Sequence, residues 1–246
     1  GNRGWGYADI LPYFKKCEQR IGAGDDTFRG RNGNLQVTDL NYEHPLCEAF
    51  MEGAEELGIP RNLDYNGALQ EGISYVQRTT YRRRRVSAAR AFLNPAKKRS
   101  NLKVLTNAFV TRILLDNKTA YGVEFSKGGR GGKLLKVSAK KEVILSGGTI
   151  NSPQLLQLSG IGAGALLDSL GIEIVHELAG VGENLRDHYA PRFCARVKGI
   201  ETINEQSKGV KLLGEIAKYF VGGKSILNLS PSMVYGFWHS DPVAKN

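Results

Sequence analysis

The sequence has few cysteines and no long apolar run, and both shortages exclude classes of protein. Only three of its 246 residues are cysteines, Cys17, Cys47 and Cys194. They are far apart, odd in number and without CxxC spacing, which argues against a disulfide framework or a zinc site and favours a reducing compartment. No apolar run reaches the length of a transmembrane helix. There is also no signal peptide and no initial Met, so we expect that the natural N-terminus lies upstream of Gly1.

Positive charge is the main compositional bias. The chain has 34 Lys and Arg against 24 Asp and Glu, a formal net charge of +10. Such an excess can indicate a polyanionic partner or a membrane surface. The one dense block is Arg82–Arg85, followed by Arg90 and Lys97–Arg99. It lacks the interleaved aromatic residues of nucleic-acid surfaces, so we predict no nucleic-acid partner. A solvated basic loop and a contact with a cofactor phosphate or a partner both remain open.

Hydrophobic periodicity predicts a mixed α/β (α+β) fold with an inserted antiparallel β-meander. Alternating runs rich in β-branched residues predict meander strands at 102–106, 109–115, 120–125 and 134–137. Further strands are predicted at 143–146, 172–177 and 193–198. Helices are predicted from Asp9 as cap to Cys17, from Pro45 to Leu57, from Ser87 to Leu93 with an end at Asn94-Pro95, from Gly164 to Leu170, and from Val210 to Phe220.

The most informative stretch joins a predicted strand to a predicted helix. The apolar run Glu142–Ser146 indicates a buried strand. Gly147 and Gly148 then suit a tight turn, and Ser152 with Pro153 suits the cap and first turn of a helix. A strand that enters a helix N-terminus through small residues has the geometry that accepts a phosphate or a dinucleotide.

Read position by position, Gly148–Gly162 resembles the second signature of the glucose-methanol-choline (GMC) family of flavin oxidoreductases. That signature has a small residue pair, Ser/Thr-Pro, two aliphatic residues and Ser-Gly-aliphatic-Gly, and every position fits. Four further blocks are similar to the family: Gly1–Glu18, Arg85–Leu93, Asn101–Ile113 and Gly180–His188. The resemblance therefore covers essentially the whole chain, and within the family it is to choline-dehydrogenase-like alcohol dehydrogenases.

The resemblance implies an FAD-dependent enzyme that oxidises the CH–OH group of a small-molecule alcohol to an aldehyde. Its electron acceptor would be a quinone, a dye or oxygen. The implied location is the cytoplasm or the periphery of the inner membrane, with association of the full enzyme with a membrane surface. The implied domain division is a loop and helix region at 1–80 that bridges the FAD and substrate domains, part of the FAD-binding domain at 81–188, and the beginning of an antiparallel-sheet substrate domain at 189–246.

The same resemblance assigns four residues to the cofactor site. Val110 would hold the flavin adenine through its backbone N–H and C=O, although a plain strand residue is the alternative. Ser146, Gly147 and Gly148 would pass close to the adenosine half of FAD, where missing side chains permit close backbone approach. No metal site is predicted, because no His, Cys, Asp and Glu cluster has ligand spacing.

Two parts of the family pattern are absent from this sequence, the strand–GxGxxG–helix fingerprint and the C-terminal catalytic His. The chain therefore resembles the middle portion of a GMC enzyme, and we expect the isolated chain to be inactive and to bind FAD weakly or not at all. A formal GxGxxA match at Gly160–Ala165, with Glu183 downstream, follows a predicted helix instead of a strand. A turn between two helices is the favoured interpretation.

No residue of this chain is predicted to be catalytic. Glu183 and Asp187 share a loop but make no convincing carboxylate pair. Tyr189–Arg192 lacks a carboxylate that could hold a trimethylammonium group, which weakens choline as substrate and favours another primary or aliphatic alcohol. Among the four histidines, two are predicted to be structural, His44 and His176. His188 is predicted to organise a loop, and His239 to pack in an aromatic tail.

Two other functions stay open from the sequence. One is a non-catalytic, truncated GMC relative that acts as a binding or structural module. The other is a binder of anionic surfaces that works through Arg82–Arg85, whose binding would depend steeply on salt.

Overall fold

The chain folds into two units, each with its own helices and small sheets. The computed structural model describes residues 3–230, 232–239 and 241. The first unit comprises Gly1–Leu102 and Ala195–Asn246, and the second comprises Lys103–Cys194. The expectations that involve Gly1, Pro231 and the last five residues lie outside the described part. Helices and small, mostly antiparallel sheets occur in both units, so the predicted mixed α/β class is confirmed.

Three helices of the first unit, at Tyr7–Cys17, Pro45–Glu56 and Gly209–Val221, lie close to the predicted ones, with one correction at the start of the first. The N–H of Gly6 donates to Oδ2 of Asp9 at 3.1 Å. Asp9 therefore lies in the first turn, where its carboxylate favours the helix N-terminus, and is not the cap itself. The helices of this unit are α1 (Tyr7–Cys17), α2 (Pro45–Glu56), α3 (Asn94–Ala96), α6 (Ile203–Gln206) and α7 (Gly209–Val221).

The predicted helix end before Pro95 is wrong. A π-helical turn at Ala89–Leu93 runs directly into α3, so the helical backbone continues to Ala96. Pro95 lies within this continuous helical stretch and contributes no N–H donor to it.

Short strands complete the first unit. β1 (Glu18–Ile21) pairs parallel with β2 (Leu35–Asp39), which pairs antiparallel with β4 (Gln77–Arg78). The remaining pairs are antiparallel: β3 (Gly72–Tyr75) with β12 (Val234–Phe237), and β5 (Thr80–Tyr81) with β6 (Arg84–Arg85). A small apolar core of Met51, Ala54 and Ile73 joins α2 to β3.

The second unit contains the predicted meander. β7 (Ala108–Asp116), β8 (Thr119–Lys127) and β9 (Lys133–Ser138) form an antiparallel sheet in the order β7-β8-β9. Beyond the sheet lie α4 (Gly148–Leu158), β10 (Ile161–Gly162), α5 (Gly164–Ser169) and β11 (His176–Glu177), with β10 parallel to β11.

Several predicted strands are wrong. Residues 102–106, 143–146 and 193–198 form no strand, and the strand predicted at 172–177 shrinks to His176–Glu177. A strand needs a hydrogen-bonded neighbour, and the described structure offers none to these segments. Ile144, expected in a buried strand, is 77% exposed as a result.

Candidate functional site

The four predicted cofactor residues lie in the second unit, on two elements that touch. Helix α4 packs against strand β7. Val110 lies on β7 opposite Phe125 of β8, and its side chain is partly exposed. Because β7 is the edge strand of its sheet in the described structure, one side of its backbone is without a neighbouring strand. A backbone contact with a ligand is compatible with that position.

The glycine turn before α4 leaves its backbone open. Ser146, Gly147 and Gly148 are all exposed. Gly148 has φ of +85°, a left-handed conformation that favours glycine, and a Cβ built on it would meet no atom within 4 Å. The N-cap residue Gly147 provides no side-chain hydrogen bond to the first turn of α4. The free N–H groups of that turn can therefore face an anionic or hydrogen-bonding group.

This geometry fits a dinucleotide such as FAD. The start of α4, however, differs from the predicted one. The helix begins at Gly148, so Ser152 and Pro153 lie inside it instead of at its cap and first turn. At Gly148 the backbone itself therefore borders open space, and no side chain covers it.

The end of the signature has a structural role that sequence reasoning missed. The hydroxyl of Ser159 accepts the N–H of Ile113 at 2.8 Å and donates to the carbonyl of Leu155 at 2.6 Å. Gly160 has φ of +82°, and a Cβ there would lie 2.5 Å from the carbonyl oxygen of Glu173. Ser159 therefore fixes the end of α4 against β7, and Gly160 allows the chain at Glu173–Val175 to pass close to it. The GxGxxA segment Gly160–Ala165 follows α4, as predicted, but it is not a simple turn between helices. Ile161–Gly162 form β10, and Gly164 and Ala165 begin α5.

The histidines occupy separate places. His44 is buried and caps α2, with Nδ1 accepting from Leu46 N–H at 3.2 Å and Nε2 3.2 Å from the Glu201 carbonyl. The predicted structural role of His44 is confirmed. His176 lies in β11, the exposed His188 donates its backbone N–H to Asp187, and His239 lies 3.7 Å from Glu71. Within the described residues, none of these hydrogen bonds or ion pairs reaches the turn at Gly147-Gly148.

Neither a metal cluster nor a membrane helix emerges from the part of the chain that the structure describes. Within residues 3–230, 232–239 and 241, no three His, Cys, Asp or Glu side chains are grouped to hold an ion. None of the helices in those ranges has the length and apolar character needed to cross a membrane. Glu183 and Asp187 are both exposed loop residues.

A buried ionic cluster in the first unit was not predicted. The guanidinium of Arg29, 2% exposed, pairs with Glu18 at 2.5 Å and with Asp64, and donates to Gln77 at 2.9 Å. Burial opposes its charge, but the two carboxylates outweigh burial and raise the pKa of Arg29. No local sequence pattern could have revealed it, because its members are 11 to 48 residues from Arg29.

Comparison with known proteins agrees with these observations. Residues 1–190 match the family model of the GMC oxidoreductases. An oxygen-dependent choline dehydrogenase of Sinorhizobium fredii is 46% identical over 188 residues, which are 76% of this chain and 33% of that protein. The mitochondrial choline dehydrogenase of Homo sapiens is 41% identical over 246 residues, 98% of this chain and 40% of that protein. The chain thus spans 33–40% of the length of these curated relatives.

Solved structures show the same fold. An FAD-dependent oxidoreductase from Chaetomium thermophilum has a TM-score of 0.85 and 26% identity, over 95% of this chain and 43% of that one. A formate oxidase of Aspergillus oryzae has a TM-score of 0.80 and 22% identity, over 96% and 42% of the two chains, and shows the fold alone. FAD is the cofactor of the family, as the sequence resemblance implied. The chain belongs to the GMC oxidoreductase family.

Proposed function

We propose that the protein containing this chain is an FAD-dependent oxidoreductase that oxidises the CH–OH group of a small alcohol to an aldehyde. The observation that carries the proposal is the exposed turn at Gly147-Gly148, with open space beside Gly148, at the start of α4 in a chain of the GMC family. When bound, FAD supplies the hydride acceptor. This chain's part is to bind and orient the cofactor, while the acid–base residue lies elsewhere in the full protein.

Within that function, we assign the contacts as follows. Ser146, Gly147 and Gly148 approach the adenosine half of FAD with their backbone, and Val110 holds the adenine through its N–H and C=O. The exposure of the turn, the φ of Gly148 and the edge position of β7 support this assignment. The domain division at 1–80, 81–188 and 189–246 belongs to the same proposal.

For the substrate, two alcohol types compete. The relatives of 41–49% identity are named choline dehydrogenases, which favours choline. The segment Tyr189–Arg192 provides no carboxylate for a trimethylammonium group, which favours an uncharged primary alcohol. Oxygen, a quinone or a dye would take the electrons, and the name of the Sinorhizobium relative supports oxygen as the first acceptor to test.

The proposal is tested on the full-length protein. We expect a yellow protein with a flavin spectrum and a dye that is reduced only when an alcohol is added. Choline and a primary aliphatic alcohol are compared at equal concentration. A full-length protein that never holds flavin would overturn the proposal and support a non-catalytic GMC relative.

The cofactor contact at Gly148 has a matched control. Gly148 and Gly171 both have positive φ, +85° and +67°, and both face open space. Alanine at either position is expected to cost about 1 kcal/mol of backbone strain. Gly148→Ala is also expected to weaken FAD binding by about tenfold or more, since a Cβ would enter the space of the ligand, whereas Gly171→Ala is not. Equal FAD affinities of the two variants would contradict the assignment.

A further inference from the structure

A cavity of about 450 Å³ lies in the first unit between the β5–β6 hairpin and residues 227–230. Three arginines line it, Arg78, Arg83 and Arg85, together with hydroxyl residues such as Thr79 and Ser230. Among the described residues that line it there is no Asp or Glu. A concave surface with several cations and no carboxylate carries a strongly positive local potential.

Arg78 is half-buried without a counter-charge. Its guanidinium donates to the backbone carbonyl of Asn228 and, at 2.8 Å, to Oδ1 of Asn41, both neutral oxygens. Its Nε is buried and has no hydrogen-bond partner. Burial lowers the pKa of Arg78, and no neighbouring acid compensates for it. This contrasts with Arg29, whose buried charge is matched by two carboxylates.

The other two arginines of the cavity, Arg83 and Arg85, lie on the short β5–β6 hairpin. Arg82 and Arg83 form its turn with φ of +48° and +64°. Arg83 donates to the carbonyl of Tyr219 and lies 5.5 Å from the centre of that ring. Arg85 stands in β6 opposite Thr80. Within the described residues Arg83 contacts the neutral Tyr219, and no carboxylate pairs with Arg83 or Arg85, so their charges stay available to the cavity.

We propose that this cavity binds a phosphate group. Guanidinium groups donate paired N–H bonds that match the oxygens of a phosphate, and the hydroxyls of Thr79 and Ser230 add further donors. The volume suits a small ligand or a headgroup. The phosphate could belong to a soluble phosphorylated molecule or to an anionic lipid, since both present the same group to the arginines.

The experiment measures binding of inorganic phosphate to the FAD-saturated full-length protein by isothermal titration at constant ionic strength. We expect saturable binding at one site. Arg85→Gln and Arg83→Gln should each weaken it by about tenfold or more. Arg84→Gln is the control, because Arg84 is exposed on the same hairpin, carries the same charge and does not line the cavity. It should leave the affinity within about twofold.

Vesicles that contain phosphatidic acid distinguish the two sources of phosphate. Binding to vesicles that Arg85→Gln weakens and inorganic phosphate displaces supports a lipid headgroup, and phosphate binding without vesicle binding supports a soluble ligand. Absence of saturable binding, or an equal loss in Arg84→Gln, overturns the proposal in favour of diffuse surface charge. Phosphate binding only when FAD is absent also overturns it, because the cavity would then accept the cofactor's own phosphates.

Discussion

The two units fix their irregular segments by different chemistry. In the first unit, the glycine-rich loop at 22–33 is held by long charged side chains, above all the buried Arg29 between Glu18 and Asp64. In the second, the signature segment is held by small residues that bond to the backbone, such as Ser159, whose hydroxyl accepts the N–H of Ile113. The difference matters for function, because Gly147 and Gly148 carry no side chain and leave their backbone free to approach a cofactor.

The first unit also contains a contrast of its own. Arg29 and Arg78 are both withdrawn from water, yet only Arg29 has carboxylate partners. The buried guanidinium of Arg29, whose charge is matched by carboxylates, stabilises the loop and is not available to bind a ligand. A half-buried charge that faces only neutral oxygens is costly unless an anion joins it. Arginine therefore stabilises the fold at position 29 and, by our proposal, helps to bind an anion at position 78.

The largest expected effect comes from removing the charge of Arg29. Arg29→Gln leaves Glu18 and Asp64 without their cation, and we expect a loss of about 3–5 kcal/mol in the free energy of unfolding. Arg61→Gln is the control, since the pairs of Arg61 with Glu48 and Glu55 are partly exposed and contribute about 0–1 kcal/mol. Urea denaturation of the full-length variants measures both. Equal losses would show that burial of the pair is unimportant.

A smaller loss is expected in the second unit from Ser159→Ala. The buried N–H of Ile113 would lose the Ser159 hydroxyl as its acceptor, which costs about 1–3 kcal/mol. Ser169→Ala is matched to it, because Ser169 is exposed and its hydroxyl also donates to a helix carbonyl. Its effect should stay within about 0.5 kcal/mol. Thermal unfolding compares the two, and an unchanged midpoint for Ser159→Ala would contradict the anchoring role.

The smallest effect is a pH dependence at Glu215, which joins α7 to residues 225–226. Burial alone would raise its pKa, but hydrogen bonds from Lys218, Ile226 and Ser225 outweigh burial and lower the pKa below 4.5. A lowered pKa stabilises the fold above about pH 4.5, and this contribution is lost as the pH falls through the folded value.

Glu215→Gln tests that dependence. We expect the variant to be less stable than the unchanged protein at pH 7, with the difference shrinking as the pH falls below about 4.5. Urea midpoints across this range measure it. A difference that stays constant from neutral to acid pH would show that the charge of Glu215 contributes nothing.

Much of the second unit was predictable because its signals are local. Alternation along 109–115, 120–125 and 134–137 predicted the meander, and the small residues of the signature predicted the turn at Gly147-Gly148. The strand predicted at 143–146 does not form, since an apolar sequence alone builds no ladder without a neighbouring strand. The Arg29 cluster and the arginine cavity were also beyond prediction, because both depend on residues brought together from distant parts of the chain.

The central claim is that the full protein oxidises an alcohol with FAD held at the glycine turn of this chain. The most direct test adds choline or a primary aliphatic alcohol to the full-length protein without oxygen and follows the flavin absorbance. We predict that the yellow absorbance bleaches with at least one of the two alcohols and returns when oxygen or a dye is admitted. A bound flavin that neither alcohol reduces would contradict the claim.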